Sequence, residues 1–394
     1  MTTPRRIYLD WNATAPVHPA VAAGMAAHLQ TVGNPSSVHE EGRGARRVIE
    51  AARASVAALV GAAANEVIFT SGGSEANALA LRGLLGAGAE SGHRYTRLFV
   101  SAVEHDSILA TADALAEAIP GLKVSRIPVT EDGVADLDAF RVMMREGKGR
   151  TLVSVMIANN ETGAIQPVAE IVGLSAEYGA TVHTDAVQGS GKIDIDMGAL
   201  GVHAMTLSAH KFAGPQGVGA LVLRDTTLVQ KQIDGGGQEL GRRAGTENVA
   251  GIHGFGIAAK LASEEKASRG HLNNLRFRLE SGIAARAADA VIYAKNAPRL
   301  PSTTCFGVPG LSAETTVIAL DLAGIAVSAG SACSSGKVRT SHVLTAMGVP
   351  PEEASSAIRV SFGPSTSEED IDHFIEAWSA HYRRVKHRGL RVAS

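Results

Sequence analysis

The chain has 394 residues, 45% hydrophobic and 19% charged, with a formal net charge of −2. That length can build two or three units around large cores, and so even a charge balance gives neither nucleic acid nor an acidic membrane surface a reason to bind. No apolar run approaches bilayer-spanning length, no apolar stretch follows the N-terminal arginines as in a secretory signal, and two cysteines in no zinc-binding spacing point to a reducing, cytoplasmic setting.

In chain order, the first clear element is a long helix, "SSVHEEGRGARRVIEAARASVAALVG". It carries a capping box at Ser37 and Glu40, an apolar face of Ala45, Val48, Ala52, Val56 and Leu59, and Gly61 as its stop. Short apolar runs then alternate with helical patterns. "EVIFT" (66–70), "RLFVS" (97–101), "TLVSVMIA" (151–158), "TVHT" (181–184), "AMTL" (204–207) and "VGALVL" (218–223) read as strands of an α/β domain with a mainly parallel sheet. A second capping box, Thr366 with Glu369, opens a last helix with Ile371, Phe374, Ile375 and Trp378 at helical spacing. The expected division is a large α/β domain over 15–265, with 1–14 and 266–394 forming a smaller α+β domain.

In open parallel sheets, ligands sit outside the carboxyl ends of the strands. Five predicted strands are followed by Ser71 to Ser74, by His105, by Asn160, by Asp185 with Gln188, and by Ser208 with His210 and Lys211. "TSGGSEAN" reads either as an anion site at a helix N-terminus or as a tight turn. Asp185 in "HTDAVQ" reads as a helix cap, a metal ligand or a partner for a cationic ring nitrogen. No second carboxylate or histidine stands beside it at ligand spacing, so no metal is expected. Lys211 in "SAHKFAGPQGVGAL" is either a solvated loop lysine or a Schiff-base lysine whose pKa is lowered by desolvation. Together, an imine-forming lysine, an upstream aspartate and a glycine/serine phosphate cup are what pyridoxal phosphate requires.

At this point the chain resembles a known family. "TSGGSEANALA", "VEHDSI", "NNETG", "HTDAVQ", "SAHKFAGPQGVGAL", "GGGQELGRRAGTEN" and "SAGSACSSG" are similar, in order and spacing, to the motifs of cysteine desulfurases of the NifS/IscS group, in the class V branch of the fold-type I pyridoxal phosphate enzymes. The similarity runs from residue 8 to residue 372. It implies a fold-type I transferase in which Lys211 carries the cofactor and moves the substrate's α-proton, Asp185 faces the pyridine nitrogen, and Gln188 hydrogen-bonds the phenolic oxygen. His105 would stack on the ring and transfer protons. Gly73, Ser74, Ser208 and His210 would contact the phosphate, with Ser74 standing where many members carry threonine. Thr246 would reach the phosphate of a neighbouring subunit in a homodimer. Asn160 and Arg359 would hold the substrate, with Asn34 in the same pocket.

The resemblance also implies the reaction. L-cysteine would give L-alanine and a persulfide on Cys333, for transfer to an acceptor protein such as an iron–sulfur scaffold. A selenocysteine lyase or class V aminotransferase on the same scaffold, and a catalytically inert partner subunit, are the alternatives. The stretch "SAGSACSSGK" (328–337) does not fit a phosphate loop, since five residues separate Gly330 from Gly336 and Val338 follows the lysine. Its small residues suggest a loop able to carry Cys333 into the pocket and out again. Cys305, among strand-forming residues, is expected to be structural.

Overall fold

Six of the seven strands in the largest sheet run the same way. The computed structural model describes residues 6–224, 226–265, 268–329 and 340–392. The sheet order is Val67–Thr70, Gly219–Leu223, Ala204–Ser208, Thr181–Asp185, Arg150–Ser154, Tyr95–Ser101 and Lys123–Ile127. Only Gly219–Leu223 is reversed, antiparallel to both neighbours, while the remaining pairs are parallel. The carboxyl ends of the other six strands therefore share one edge.

The strands alternate as a doubly covered sheet requires. Phe69, Phe99, Val153, Val182 and Met205 face one core with helices Glu40–Leu59 and Val249–Glu264. Ile68, Leu98, Leu152, Ala204 and Leu221 face the other with helices Gly73–Glu90 and Asp106–Ala118. The first two helices cross so closely that a Cβ on Gly256 would lie 2.6 Å from Ala52 Cα, which is why a glycine stands there. The sequence reading named no strand over Lys123–Ile127. That edge strand keeps Lys123 exposed and presents no apolar run.

Two expected capping boxes are corrected. The long helix starts at Glu40 with His39 as its cap, the imidazole accepting from Gly42 N. Ser37 lies outside, its amide bonded to Asn34 O. The last helix, Glu368–Val392, is opened by Ser367 and Asp370, which exchange side-chain-to-amide bonds of 3.0 and 3.2 Å. Thr366 instead accepts from Gly363 N. "TLVSVMIA" leaves the ladder after Ser154, and Gly61, with φ +65°, does follow the long helix Glu40–Leu59, which a shorter helix, Pro19–His28, precedes.

A second, antiparallel sheet runs Ser328–Ala329, Ile358–Ser361, Thr303–Gly307 and Val291–Ile292. Beside it Ile7–Tyr8 pairs in parallel with Ile325–Ala326. Its core gathers Leu9, Leu279, Phe306, Phe362, Phe374 and Trp378, with the Trp378 ring edge-on to Phe306 at 5.3 Å. The N-terminal strand thus packs with the C-terminal third. Trp11 N donates to Ser361 O at 3.1 Å just before the chain reaches the large sheet at Asn12. Among the described residues, no helix is long and apolar enough to cross a membrane.

A buried ion pair ties a loop to the large sheet. Both Arg53 Nη atoms donate to Glu239, at 2.7 and 2.9 Å, and Glu239 also takes the Phe69 amide at 2.9 Å. Glu239 and Leu240 sit in the left-handed region, at φ 48° and 57°, so the pair holds a backbone that would otherwise relax. Glu239→Gln should lower stability by about 3 kcal/mol, because it takes from a buried guanidinium its buried counter-charge and leaves only the half-exposed Glu50, 3.1 Å from Nε. Adding Arg53→Met should restore part of the loss, read by chemical denaturation followed by circular dichroism.

Candidate active site

The shared strand edge opens into a cavity of about 360 Å³. On one side the helix Gly73–Glu90 begins, presenting free backbone amides beside Ser74, Ser208 and His210, all of which line the cavity. A Cβ on Gly73 would press on Val187 at 3.0 Å and Ser208 at 3.4 Å, so the glycine lets the helix start against the neighbouring strand ends. His210 Nδ1 lies 3.2 Å from Thr14 Oγ1. Burial, then the charges of Lys211 and Lys192, lower its pKa to about 4, and it stays neutral at neutral pH.

Deeper in, Asp185 ends strand Thr181–Asp185 and is buried. Its Oδ1 accepts from Val187 N at 2.9 Å and its Oδ2 from Asn77 Nδ2 at 2.8 Å. Asn77 also donates to Ser107 Oγ at 2.9 Å, and Ser107 Oγ and N lie 2.8 and 3.1 Å from His105 Nδ1. The Ser107 amide can only donate, so Nδ1 accepts and the imidazole proton sits on Nε2. A hydrogen-bonded line therefore runs from carboxylate to imidazole. Glu104, next to His105, is fully buried and takes Met156 N at 2.6 Å. Burial, with Asp185 second, pushes its carboxyl well above the usual range.

Lys211 follows strand Ala204–Ser208. Its Nζ donates to the carbonyl oxygens of Asn12 at 2.8 Å and Ala13 at 2.9 Å. Burial, reinforced by the Arg359 charge, lowers its pKa to about 8, while Asp185 and Asp10 pull the other way. Gln188 Nε2 also donates to Asn12 O, at 2.9 Å. From the second sheet, Arg359 reaches in with Nη2 on Asp10 Oδ1 at 2.7 Å and Nη1 on Asn160 O at 3.0 Å. Its Nε is buried with no partner among the described residues. Asn160 lines the same cavity.

This donor set fits pyridoxal phosphate. The helix start, Ser208 and neutral His210 suit its phosphate, Asp185 its ring nitrogen, Lys211 its aldehyde, and the unpartnered Arg359 Nε a carboxylate brought in by an amino acid. Two expected residues are not part of this group within one chain. Asn34 is exposed, its Oδ1 accepting from Ser36 N at 2.9 Å. Thr246 is exposed and lines a separate cavity with Ser71 and Arg243. Cys333 lies outside the described residues. Cys305 is fully buried on strand Thr303–Gly307, and burial pushes its thiol pKa up. Among the described residues no cluster of His, Cys, Asp and Glu is placed to hold a metal ion.

Sequence reasoning missed Asn12, Asn77 and Ser107. Asn77 had a usable signal, since it stands one helical turn after Gly73 and so on the same face. Asn12 had none, because its partners are Asn160, Gln188 and Lys211, all at least 148 residues away.

Residues 7–374 match the family described as Aminotransferase class-V. A cysteine desulfurase from Cereibacter sphaeroides is 44% identical, over 94% of each chain. An IscS-like cysteine desulfurase from Mycobacterium tuberculosis is 40% identical, over 98% of each. Among solved structures, a NifS-like protein from Rickettsia africae aligns with a TM-score of 0.86 and 35% identity, covering 96% of this chain and 100% of its own.

The Lys211 amine has a measurable consequence. Only the neutral amine attacks an aldehyde, so its share rises as pH passes upward through the pKa. Capture of pyridoxal phosphate by the cofactor-free protein should accelerate between pH 7 and 9, with its half-rise near pH 8, whereas an ordinary lysine would respond near about 10.4. Stopped-flow absorbance reads the rate, and Lys211→Ala should leave no borohydride-stable adduct.

Proposed function

The chain belongs to the class-V aminotransferase family, among its pyridoxal phosphate-dependent cysteine desulfurases, and from that premise we propose how its own residues divide the work. The observation that carries the assignment is the Lys211 amine, brought to a pKa of about 8 and set in one cavity with Asp185, Gln188 and His105.

When bound, pyridoxal phosphate supplies an electron sink that loosens bonds at the α and β carbons of an amino acid. Lys211 is its attachment point and later moves the α-proton of L-cysteine. Asp185, fixed by Asn77 and the Val187 amide, keeps the ring nitrogen protonated. Gln188 would offer its amide to the phenolic oxygen, and His105, with its proton on Nε2, would lie against the ring and pass protons. Gly73, Ser74, Ser208 and His210 hold the phosphate. Arg359, steadied by Asp10, takes the substrate carboxylate with help from Asn160.

Cys333 thiolate takes the substrate's sulfur. An S–S bond forms as the Cβ–S bond breaks, and the remaining three-carbon fragment takes up protons to leave as L-alanine. The Cys333 persulfide then passes its outer sulfur to an acceptor, for which an iron–sulfur scaffold protein in the cytoplasm is our reading. Thr246 completes the phosphate site of a second copy, making the enzyme a homodimer. In support, Thr246 is exposed on the segment pinned by Arg53–Glu239 and by Arg243 on Glu75 at 2.9 Å, and Leu240 beside it is 56% exposed. The core of Leu9, Phe306, Phe374 and Trp378, distinct from those on the large sheet, supports a division into 15–265 and 1–14 with 266–394, the two being joined by a cluster of Val103, Ala164, Cys305 and Leu344.

The test is production of alanine and of protein-bound sulfur from L-cysteine. Cys333→Ala should reduce persulfide formation to background with cofactor uptake unchanged. Unchanged sulfur transfer would remove Cys333 from the mechanism and favour an aminotransferase or selenocysteine lyase, and absence of turnover in the wild-type, cofactor-loaded chain would favour an inert subunit. Asp10→Asn, which loosens Arg359, should raise KM for cysteine about tenfold with little change in kcat, read by initial rates.

A further inference from the structure

Lys192 has no role in the reaction described so far, yet it stands at the centre of the site's hydrogen bonding. It lies four residues after Gln188, beyond strand Thr181–Asp185, and its Nζ is 2.6 Å from Gln188 Oε1 and 2.8 Å from Asn12 Oδ1. Its stem lines a second, smaller cavity with Trp11, Phe212 and Phe362. A side-chain amide has two ends of opposite polarity and, left alone, turns either way. An amine placed against the oxygen of each amide decides the matter for both. Gln188 must then aim Nε2 at Asn12 O, on the cavity side, and Asn12 must aim Nδ2 at Asn160 O and Thr303 Oγ1, at 3.1 and 3.0 Å.

We propose that Lys192 is a positioning residue that fixes the amide of Gln188 with its NH₂ toward the cofactor's phenolic oxygen. The bond count agrees. A neutral amine has two N–H groups, and both are used. Burial, then the charges of Lys211 and Arg359, drive the Lys192 pKa well below its ordinary value, the direction in which an amine gives up its third N–H. A lysine serves here where a hydroxyl would not, because one Ser or Thr O–H can donate to only one of the two oxygens.

The inference rests on the pyridoxal phosphate reading, and its test separates the two. Lys192→Met, Gln188→Ala and the double variant are prepared cofactor-free and titrated with pyridoxal phosphate, following the dissociation constant and the visible absorption maximum of the bound form. Each single variant should weaken binding roughly five- to tenfold, the worth of one hydrogen bond of about 1 kcal/mol. Both should displace the absorption maximum in the same direction, and the double variant should match Gln188→Ala alone. Should Lys192→Met not fold, Lys192→Gln, one atom shorter and unable to span both oxygens, serves in its place with the same expectation. An unmoved absorption maximum in the Lys192 variant, or effects that add in full on the Gln188→Ala background, would overturn the assignment of Lys192 while leaving the function intact. A wild-type protein that took up no pyridoxal phosphate would overturn both.

Discussion

Two lysines and an arginine meet around one buried asparagine, and the rest of the site is arranged around that crowding. Like charges in a poorly solvated space must be neutralised or separated. Arg359 cannot give up its proton, so it takes Asp10 as a counter-charge. Both lysines instead shift toward the neutral amine, Lys211 to a pKa of about 8 and Lys192 well below its ordinary value. Burial, reinforced by the Arg359 charge, is what lowers the Lys211 pKa and frees its amine for chemistry. Asn12 makes the crowding tolerable by offering its carbonyl to Lys211 and its side-chain oxygen to Lys192.

Asn12 also stands where the chain passes from one core to the other. Its backbone amide donates to Ser361 Oγ and its Nδ2 to Thr303 Oγ1, both on the second sheet, while Gln188, Lys192 and Lys211 all belong to the first. The placement of the two sheets and the environment of the reactive amine are therefore set by the same side chain. Arg359 repeats the pattern from the other direction. It sits on the second sheet, yet it binds Asn160, which follows a strand of the first.

The sequence was most legible where one strand end delivers one functional group. Local runs predicted the strands, the rule about carboxyl ends predicted where their ligands would sit, and nine of the residues so marked line one cavity. What escaped was whatever depends on distant partners. No local pattern distinguishes Asn12 from a loop asparagine, and Lys192 in "QGSGK" reads as an ordinary turn lysine until Gln188 and Asn12 are seen around it. Both capping boxes came out shifted, because several polar residues near a helix start can serve as cap and only the chain's entry angle chooses among them. Strand Lys123–Ile127 was hidden by its own edge position, where charge protects it from pairing with other chains. Asn34 and Thr246 mark another limit: each lies outside the cavity of a single chain.

The burial of Cys305 matters beyond the core it fills. The chain has two cysteines, and this one is 0% exposed, with burial holding its thiol in the protonated form. Neither electrophiles nor oxidants can reach it without unfolding the strand that carries it. In the native protein, Cys305 is thus closed to thiol chemistry without engineering. A chromophore, spin label or isotope introduced through sulfur would leave Cys305 untouched, and its thiol would begin to titrate only as the cluster it shares with Val103, Ala164 and Leu344 opens. The enzyme carries its own unfolding indicator.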